Sequence, residues 1–266
     1  MKKCVYTALT GGYDLLLQPD IINTDYDYIC FSNDIRTSKI GVWQIRPIPF
    51  YHKDNKRVAM FAKFHPHTLL SDYDYAIWID ANNRIKDNYI YDKADQFYSN
   101  GEIIGHITHP ESDCIYQEVF RCMLYNKDKM MPLIKTLRFL LRNEYPHRQG
   151  LYENNLIFWS HHNRRVIEVL ELFWEVYLKV SRRDQLTLNY IYYVLNVHPG
   201  LYFPIGEHMK NSEHIQQMSH NNDESCSKNV RINKFRIRIV RLLFLIFGYD
   251  LRYNKLSLLS TKNGRD

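Results

Sequence analysis

Cysteine is scarce in this chain, and its spacing argues against cross-links. Five cysteines, Cys4, Cys30, Cys114, Cys122 and Cys226, occur in 266 residues without a CxxC pair. An odd, scattered set does not make a disulfide framework or a structural zinc site. Cys4 and Cys30 stand in apolar, strand-like runs and read as buried thiols. Met1-Lys2-Lys3 leads directly into a strand with no apolar leader, so no secretory signal is expected. No apolar run approaches the roughly 18 residues that span a bilayer. A reducing cytoplasmic setting is therefore expected, with attachment to the cytoplasmic face of an inner membrane as its variant. Several motifs are also missing. There is no GxxxxGK[ST] loop and no GxGxxG after the first strand, which removes support for kinases and dinucleotide dehydrogenases. Neither a GxSxG elbow nor an HExxH helix is present.

What is present is globular: 45% hydrophobic and 24% charged residues, enough to bury a large core. Tyrosine is abundant at 21 copies. It suits sugar-facing surfaces, because its ring is flat and carries a hydroxyl; an AT-rich genome would enrich it equally. The formal charge of +6 is uneven. From Ser227 onward ten Lys/Arg face two Asp/Glu, which leaves the preceding body near −2. The organisation read from this is a domain over 1–218, a polar linker over 219–229 and a basic tail over 230–266.

Strands are expected at Cys4 to Leu9, Asp27 to Phe31, Trp43 to Pro47 and Tyr75 to Asp80. The last is apolar nearly throughout, as a strand buried on both faces should be. Helix-compatible spacing covers 56–70, broken near Pro66, and the second half is mostly helical. The spacing predicts helices over 116–125, 132–142, 163–180 and 185–195, with Asp184 as N-cap of the last. A short strand interrupts them at Leu156 to Trp159. Alternating strands and helices predict an α/β fold with a mainly parallel central sheet, whose ligands sit beyond the carboxyl ends of the strands. In the tail, Arg231, Lys234, Arg238 and Arg241 fall on one helical face and Ile232, Phe235, Ile239 and Leu242 mainly on another. Over 230–247 this reads as a helix lying on anionic lipid, or as a packing helix with a solvated basic face. No nucleic-acid partner is expected.

Several constellations could carry chemistry. Asp80-Ala81-Asn82 ends the most apolar strand, and alternation would put Asp80 and Asn82 on one side. Their oxygens suit Mg²⁺ or Mn²⁺ at a diphosphate leaving group; the plainer reading is an Asx turn. The run from His109 to Glu118 packs His109, Glu111 and Asp113 at a helix start, for binding or for capping. Glu153, followed by Asn154 and Asn155, offers a base and sugar-binding amides, or a polar turn. Arg183 and Asp184 suit phosphate or acceptor recognition. His208 is a further nitrogen ligand or a structural histidine.

Taken together, these segments resemble the domain-of-unknown-function 616 family, a glycosyltransferase-like group of bacterial surface-polysaccharide loci and plant cell-wall proteins. The resemblance is carried by Gly11-Gly12-Tyr13-Asp14, Tyr28 to Asp34, Lys56-Arg57, Tyr75 to Asn82, His109 to Tyr116, Glu153-Asn154-Asn155 and Arg182 to Gln185. It implies a GT-A-like fold and transfer from a nucleotide-diphosphate sugar, a uridine diphosphate sugar being the expected donor. The acceptor would be a glycan or lipid-linked glycan of lipopolysaccharide or capsule. Thr7, Thr10, Gly11, Asp34 and Arg57 would hold the nucleotide. Asp80, Asn82 and His208 would hold the ion, in place of the usual Asp-x-Asp. Glu153 and Asp184 would face the acceptor, with His109, Glu111, Asp113, Asn154 and Arg183 around the sugars. A transferase-like binding module without catalysis is the alternative.

Overall fold

A computed structural model describes residues 1–218 and 234–246. The proposed linker and the rest of the tail, with Cys226, lie outside these. Eight strands form one sheet: β1 (Lys3–Ala8), β2 (Tyr26–Phe31), β3 (Lys39–Ile40), β4 (Trp43–Arg46), β5 (Tyr75–Ile79), β7 (Ile104–Thr108), β8 (Tyr152–Trp159) and β9 (Gly200–Leu201). Their order is β3-β4-β2-β1-β5-β8-β7-β9. The pairings β4-β2, β2-β1, β1-β5 and β7-β9 are parallel, and β3 and β8 run against their neighbours. A small second sheet pairs β6 (Asn83–Ile85) with β10 (Ile215–Gln217).

The predicted α/β class with a mainly parallel sheet is what forms. Alternation along the central strands divides the core in two. Cys4, Tyr6, Ala76 and Trp78 face one cluster, with α1 (Asn55–Phe64), α4 (Ile115–Leu124), α5 (Met130–Arg142), α6 (Arg164–Val180) and α7 (Gln185–Leu195). Val5, Tyr75, Ile77 and Ile79 face the other, with α3 (Tyr89–Ser99) and the β10 segment. The short helix α2 (Pro66–Leu69) starts on the proline that was expected to interrupt α1; proline lacks an N–H but suits the first helical turn.

Three expectations change. The helix α3 and strand β7 were not foreseen. β8 begins four residues before the expected Leu156. Tyrosine, read as a sugar-facing surface, is largely core: Tyr6, Tyr73, Tyr75, Tyr91, Tyr116, Tyr177 and Tyr202 are fully buried. At the amino ends of the strands, Tyr26 donates to Asp95 at 2.6 Å and Lys3 Nζ reaches it at 2.8 Å. Tyr75 bonds the same carboxylate. This rim is closed structurally, and the opposite rim remains for a ligand. Cys4, Cys30, Cys114 and Cys122 are free and buried.

The last described helix, α8 (Lys234–Ile246), packs on α4, with the Phe244 and Phe120 rings 5.3 Å apart. Among its described side chains Val240 and Phe244 are buried, whereas Ile239 and Leu242 are 40% and 56% exposed. The inner stripe is thus shifted from the one read in the sequence, because the helix turns toward α4. No helix among the described residues is long and apolar enough to cross a membrane.

Candidate active site

The carboxyl ends of β1, β2 and β5 are adjacent, since β1 lies between the other two. After β1 the chain turns through Gly11 and Gly12, both at positive φ (67° and 60°), where glycine is favoured. A Cβ on Gly11 would meet Asn55 Nδ2 at 2.3 Å. Asp34, beyond β2, accepts from Gly11 N, and Thr10 donates to Asn55 O at 3.0 Å. These loops therefore gather Thr10, Gly11 and Asp34 at the amino end of α1. Thr7 is fully buried inside β1, with no partner for its hydroxyl among the described residues.

Asp80 follows β5 on the Trp78 side of the strand. Its Oδ1 accepts from Trp78 Nε1 at 2.7 Å and from Lys63 Nζ at 3.3 Å. Lys63, from the end of α1, also donates to Asp184 Oδ2 at 2.9 Å. One ammonium, 2% exposed, thus joins two carboxylates. Burial alone would pull Lys63 down, but the charges of Asp184 and Asp80 hold its pKa above the ordinary value. Burial pushes the Asp184 carboxyl up, but Lys63 and Lys56 outweigh it and hold it well below the usual range. Lys63 was missed in the sequence reading: nothing local distinguishes it from Lys56, the other lysine of α1. The expected Asp184 cap also needs correction. Asp184 stands at the N-cap with helical φ and ψ, and its side chain does not cap; Lys63 draws it inward instead.

Asn82 departs from the alternation argument. Asn83 N donates to Asp80 O at 2.9 Å, so the chain turns straight after Asp80 and extended geometry does not persist. Asn82 Nδ2 bonds Met218 O at 2.8 Å, tying the loop to the segment after β10. β8 clamps it from the other side, with Asn155 O accepting from Asp80 N at 3.0 Å. Opposite β7, β8 is irregular: Gly105 faces Phe158, yet Ile107 faces Glu153, so β8 carries extra residues between these pairs. Bulges of this kind re-aim side chains beside sites. The outcome is a polar set with unspent capacity. Asn82 Oδ1, Asn83 Oδ1, Asn155 Oδ1 and both polar atoms of Asn154 are buried without partners among the described residues. Buried amides are normally bonded, so these atoms mark a place for a ligand or water.

Glu153 is buried, and its Oε2 accepts from Met209 N at 3.2 Å. Burial pushes its carboxyl up to about 7. Beside it His106, buried and bonded to Tyr192 OH at 2.6 Å, is pushed by burial down to about 3 and stays neutral.

The remaining candidates are engaged with other partners. His109 Nδ1 accepts from Glu111 N and Ser112 N, and burial lowers its pKa to about 4. Glu111 pairs with Arg121, and the fully buried Glu118 is surrounded by Arg121, Lys127 and His109. That group reads as an internal ion network. Asp113 is exposed, with its backbone N directed to Gln117 Oε1. Arg183 spans from Lys127 O to Gln185. Arg57 reaches Leu178 O, on the α5 and α6 side. His208 Nδ1 accepts from Lys210 N within its own loop. Among the described residues no three His, Cys, Asp or Glu side chains converge as a metal set. The oxygens offered near Asp80 are its own carboxylate, 36% exposed, and the unpartnered Asn82 Oδ1. Such a pair fits an ion that takes its other ligands from phosphate and water, as Mg²⁺ commonly does.

No curated protein matches the chain. Among the solved structures that resemble it distantly are two glycosyltransferases. Mouse xyloside xylosyltransferase 1, apo form, is 10% identical with a TM-score of 0.39, covering 74% of this chain and 84% of that one. The WbbM bifunctional glycosyltransferase, apo, is 11% identical with a TM-score of 0.40, covering 76% of this chain and 38% of that one. The family model described as "TOD1/MUCI70, glycosyltransferase-like domain" matches residues 27–220, which leaves β1 and the Gly11-Gly12 turn before the match. The chain belongs to this glycosyltransferase-like domain family.

Proposed function

We propose that the chain transfers a sugar from a nucleotide-diphosphate donor to a glycan or lipid-linked glycan acceptor. The observation that carries the reading is the rim at Asp80: a carboxylate fixed by Trp78 and Lys63, beside buried asparagine atoms with nothing to bond. The amide oxygens can accept from sugar hydroxyls, and Asn154 Nδ2 can donate to a hydroxyl or a phosphate oxygen. Thr10, Gly11 and Asp34 would receive the nucleotide on the adjoining loops, and a uridine diphosphate sugar is the donor we favour. Asp80 and Asn82 would hold Mn²⁺ or Mg²⁺, which would neutralise charge growing on the diphosphate. Glu153, whose carboxyl is pushed up to about 7, suits a general base near neutral pH. It would take the acceptor hydroxyl's proton as that oxygen bonds the anomeric carbon and the diphosphate departs. A role in lipopolysaccharide or capsule assembly belongs to the same proposal, supported by the resemblance of the rim segments.

The test is thermal stabilisation by nucleoside diphosphates and nucleotide sugars, with and without Mn²⁺, on wild type and Asp80→Asn. A Mn²⁺-dependent shift with one nucleotide, lost in the variant, is expected; no shift with any nucleotide would overturn the reading. The Asp-x-Asn of Asp80-Ala81-Asn82, in place of Asp-x-Asp, motivates one alternative, a sugar- or partner-binding module. It predicts glycan binding with no donor turnover.

A further inference from the structure

A concave feature is lined by residues other than those of the Asp80 rim. It is a groove of 770 Å³ between α5 and the end of α6, within the range of small-molecule sites. Six cations line it, Arg57, Lys135, Arg138, Arg142, Lys179 and Arg182, and no carboxylate does. Its floor is apolar, with Phe139, Leu178 and Val180. The concentration is pronounced because the body as a whole carries a charge near −2. Lys135, Arg138 and Arg142 recur at positions three and four apart along α5, so they share one face. Two of the cations are partly offset: Arg182 by Asp54 at 2.6 Å and Lys179 by Glu175 at 2.5 Å. Lys135 and Arg142 have no hydrogen-bond or ion-pair partner among the described residues.

Cations over an apolar floor complement a molecule with an anionic head and a hydrocarbon body. A free nucleotide would leave that floor without a matching group, and a nucleic-acid strand would need a row of stacking rings, whereas Phe139 is the one aromatic residue in the lining. The location adds a second argument. The groove wall ends at Ser181 and Arg182, and the chain continues through Arg183 to Asp184, the residue that shares Lys63 with Asp80. Three residues of chain reach at most about 11 Å. A phosphate held at Arg182 would therefore present an attached sugar near the Asp80 rim.

We propose that this groove binds the phosphate or diphosphate head of a lipid-linked acceptor, with the first part of the lipid chain on the Phe139, Leu178 and Val180 floor. The proposal rests on the sugar-transfer reading of the Asp80 rim, but its test does not require transfer. Binding of the full chain would be measured to three probes: a polyprenyl phosphate in neutral detergent micelles, the corresponding polyprenol, and inorganic pyrophosphate. The lipid phosphate should bind at least about tenfold more tightly than either of the others, a difference of about 1.4 kcal/mol. The double variant Lys135→Glu with Arg142→Glu should lose that binding while keeping its melting temperature and its nucleotide response. A second variant, Leu242→Glu with Leu245→Glu on α8, should keep it. Unchanged lipid binding in the groove variant, or pyrophosphate binding as tightly as the lipid, would overturn the proposal. So would loss of lipid binding in the α8 variant alone. Absence of a nucleotide response in the wild type would instead count against the transfer reading.

Discussion

Lys63 carries more of the site than any residue flagged in the sequence. Its ammonium is fully desolvated and compensated by two carboxylates, and removing one member of such a group leaves buried charge unpaired. Lys63→Met should destabilise the fold by about 3–5 kcal/mol at neutral pH. The sign with pH follows from Asp184, whose folded pKa is depressed. Its contribution is present above the unfolded value and lost as pH falls through the folded one, so the variant's deficit should shrink below about pH 4. Urea denaturation at pH 7 and at pH 3.5 checks this; equal deficits would count against the pairing.

Glu153 titrates in the opposite sense. Its folded pKa is raised to about 7 by burial. Stability from the neutral form is complete below the unfolded value of about 4.3 and is lost as pH rises through 7. Glu153→Gln should therefore be more stable than wild type at pH 8, by about 3–4 kcal/mol, and nearly equal at pH 4. As the general base, Glu153 should also make kcat/KM rise with pH through about 7, and the glutamine variant should lose both that rise and most of its activity. A pH–rate profile with an unchanged rise in the variant would remove Glu153 from the role.

The sequence announced neither the short strands β3, β6, β9 and β10 nor the longer elements α3 and β7, and the contact between the last two shows why. Gly105 of β7 lies under Phe97 of α3, where an added Cβ would sit 2.5 Å from Phe97 Cε2. The close approach of helix to strand is set by a residue with no side chain, and a glycine inside a strand reads locally as a weakness. Gly105→Ala should cost about 1–3 kcal/mol through overpacking, measured as a fall in urea midpoint with an unchanged slope. β5, α5, α6 and α7 were legible because each has a continuous apolar run or a helical stripe that must be buried somewhere. The start of β8 was not, because Glu153-Asn154-Asn155 is polar and is held in the strand by β7 and by the turn at Asp80.

In the molecule as a whole, α8 joins the tail to the body through Val240 and Phe244 on α4. Phe244→Ala should cost about 3 kcal/mol. A differential scanning measurement showing no loss would mean that α8 does not contribute to the fold. Among the described residues of the tail, Ile239, Leu242, Leu245 and Ile246 are open to a surface or partner.

The sequence by itself determined the layered α/β class and the helical second half. It also placed three polar loops at one rim of the sheet, because apolar periodicity and turn residues act locally. Only the tertiary structure decided which of those polar residues meet. Lys63 finds Asp80 at 17 residues' separation and Asp184 at 121. Asn82 is turned to Met218, 136 residues away. The basic groove is assembled from α1, α5 and α6. Partners that distant are chosen by packing of whole helices against the sheet, and no local spacing encodes them.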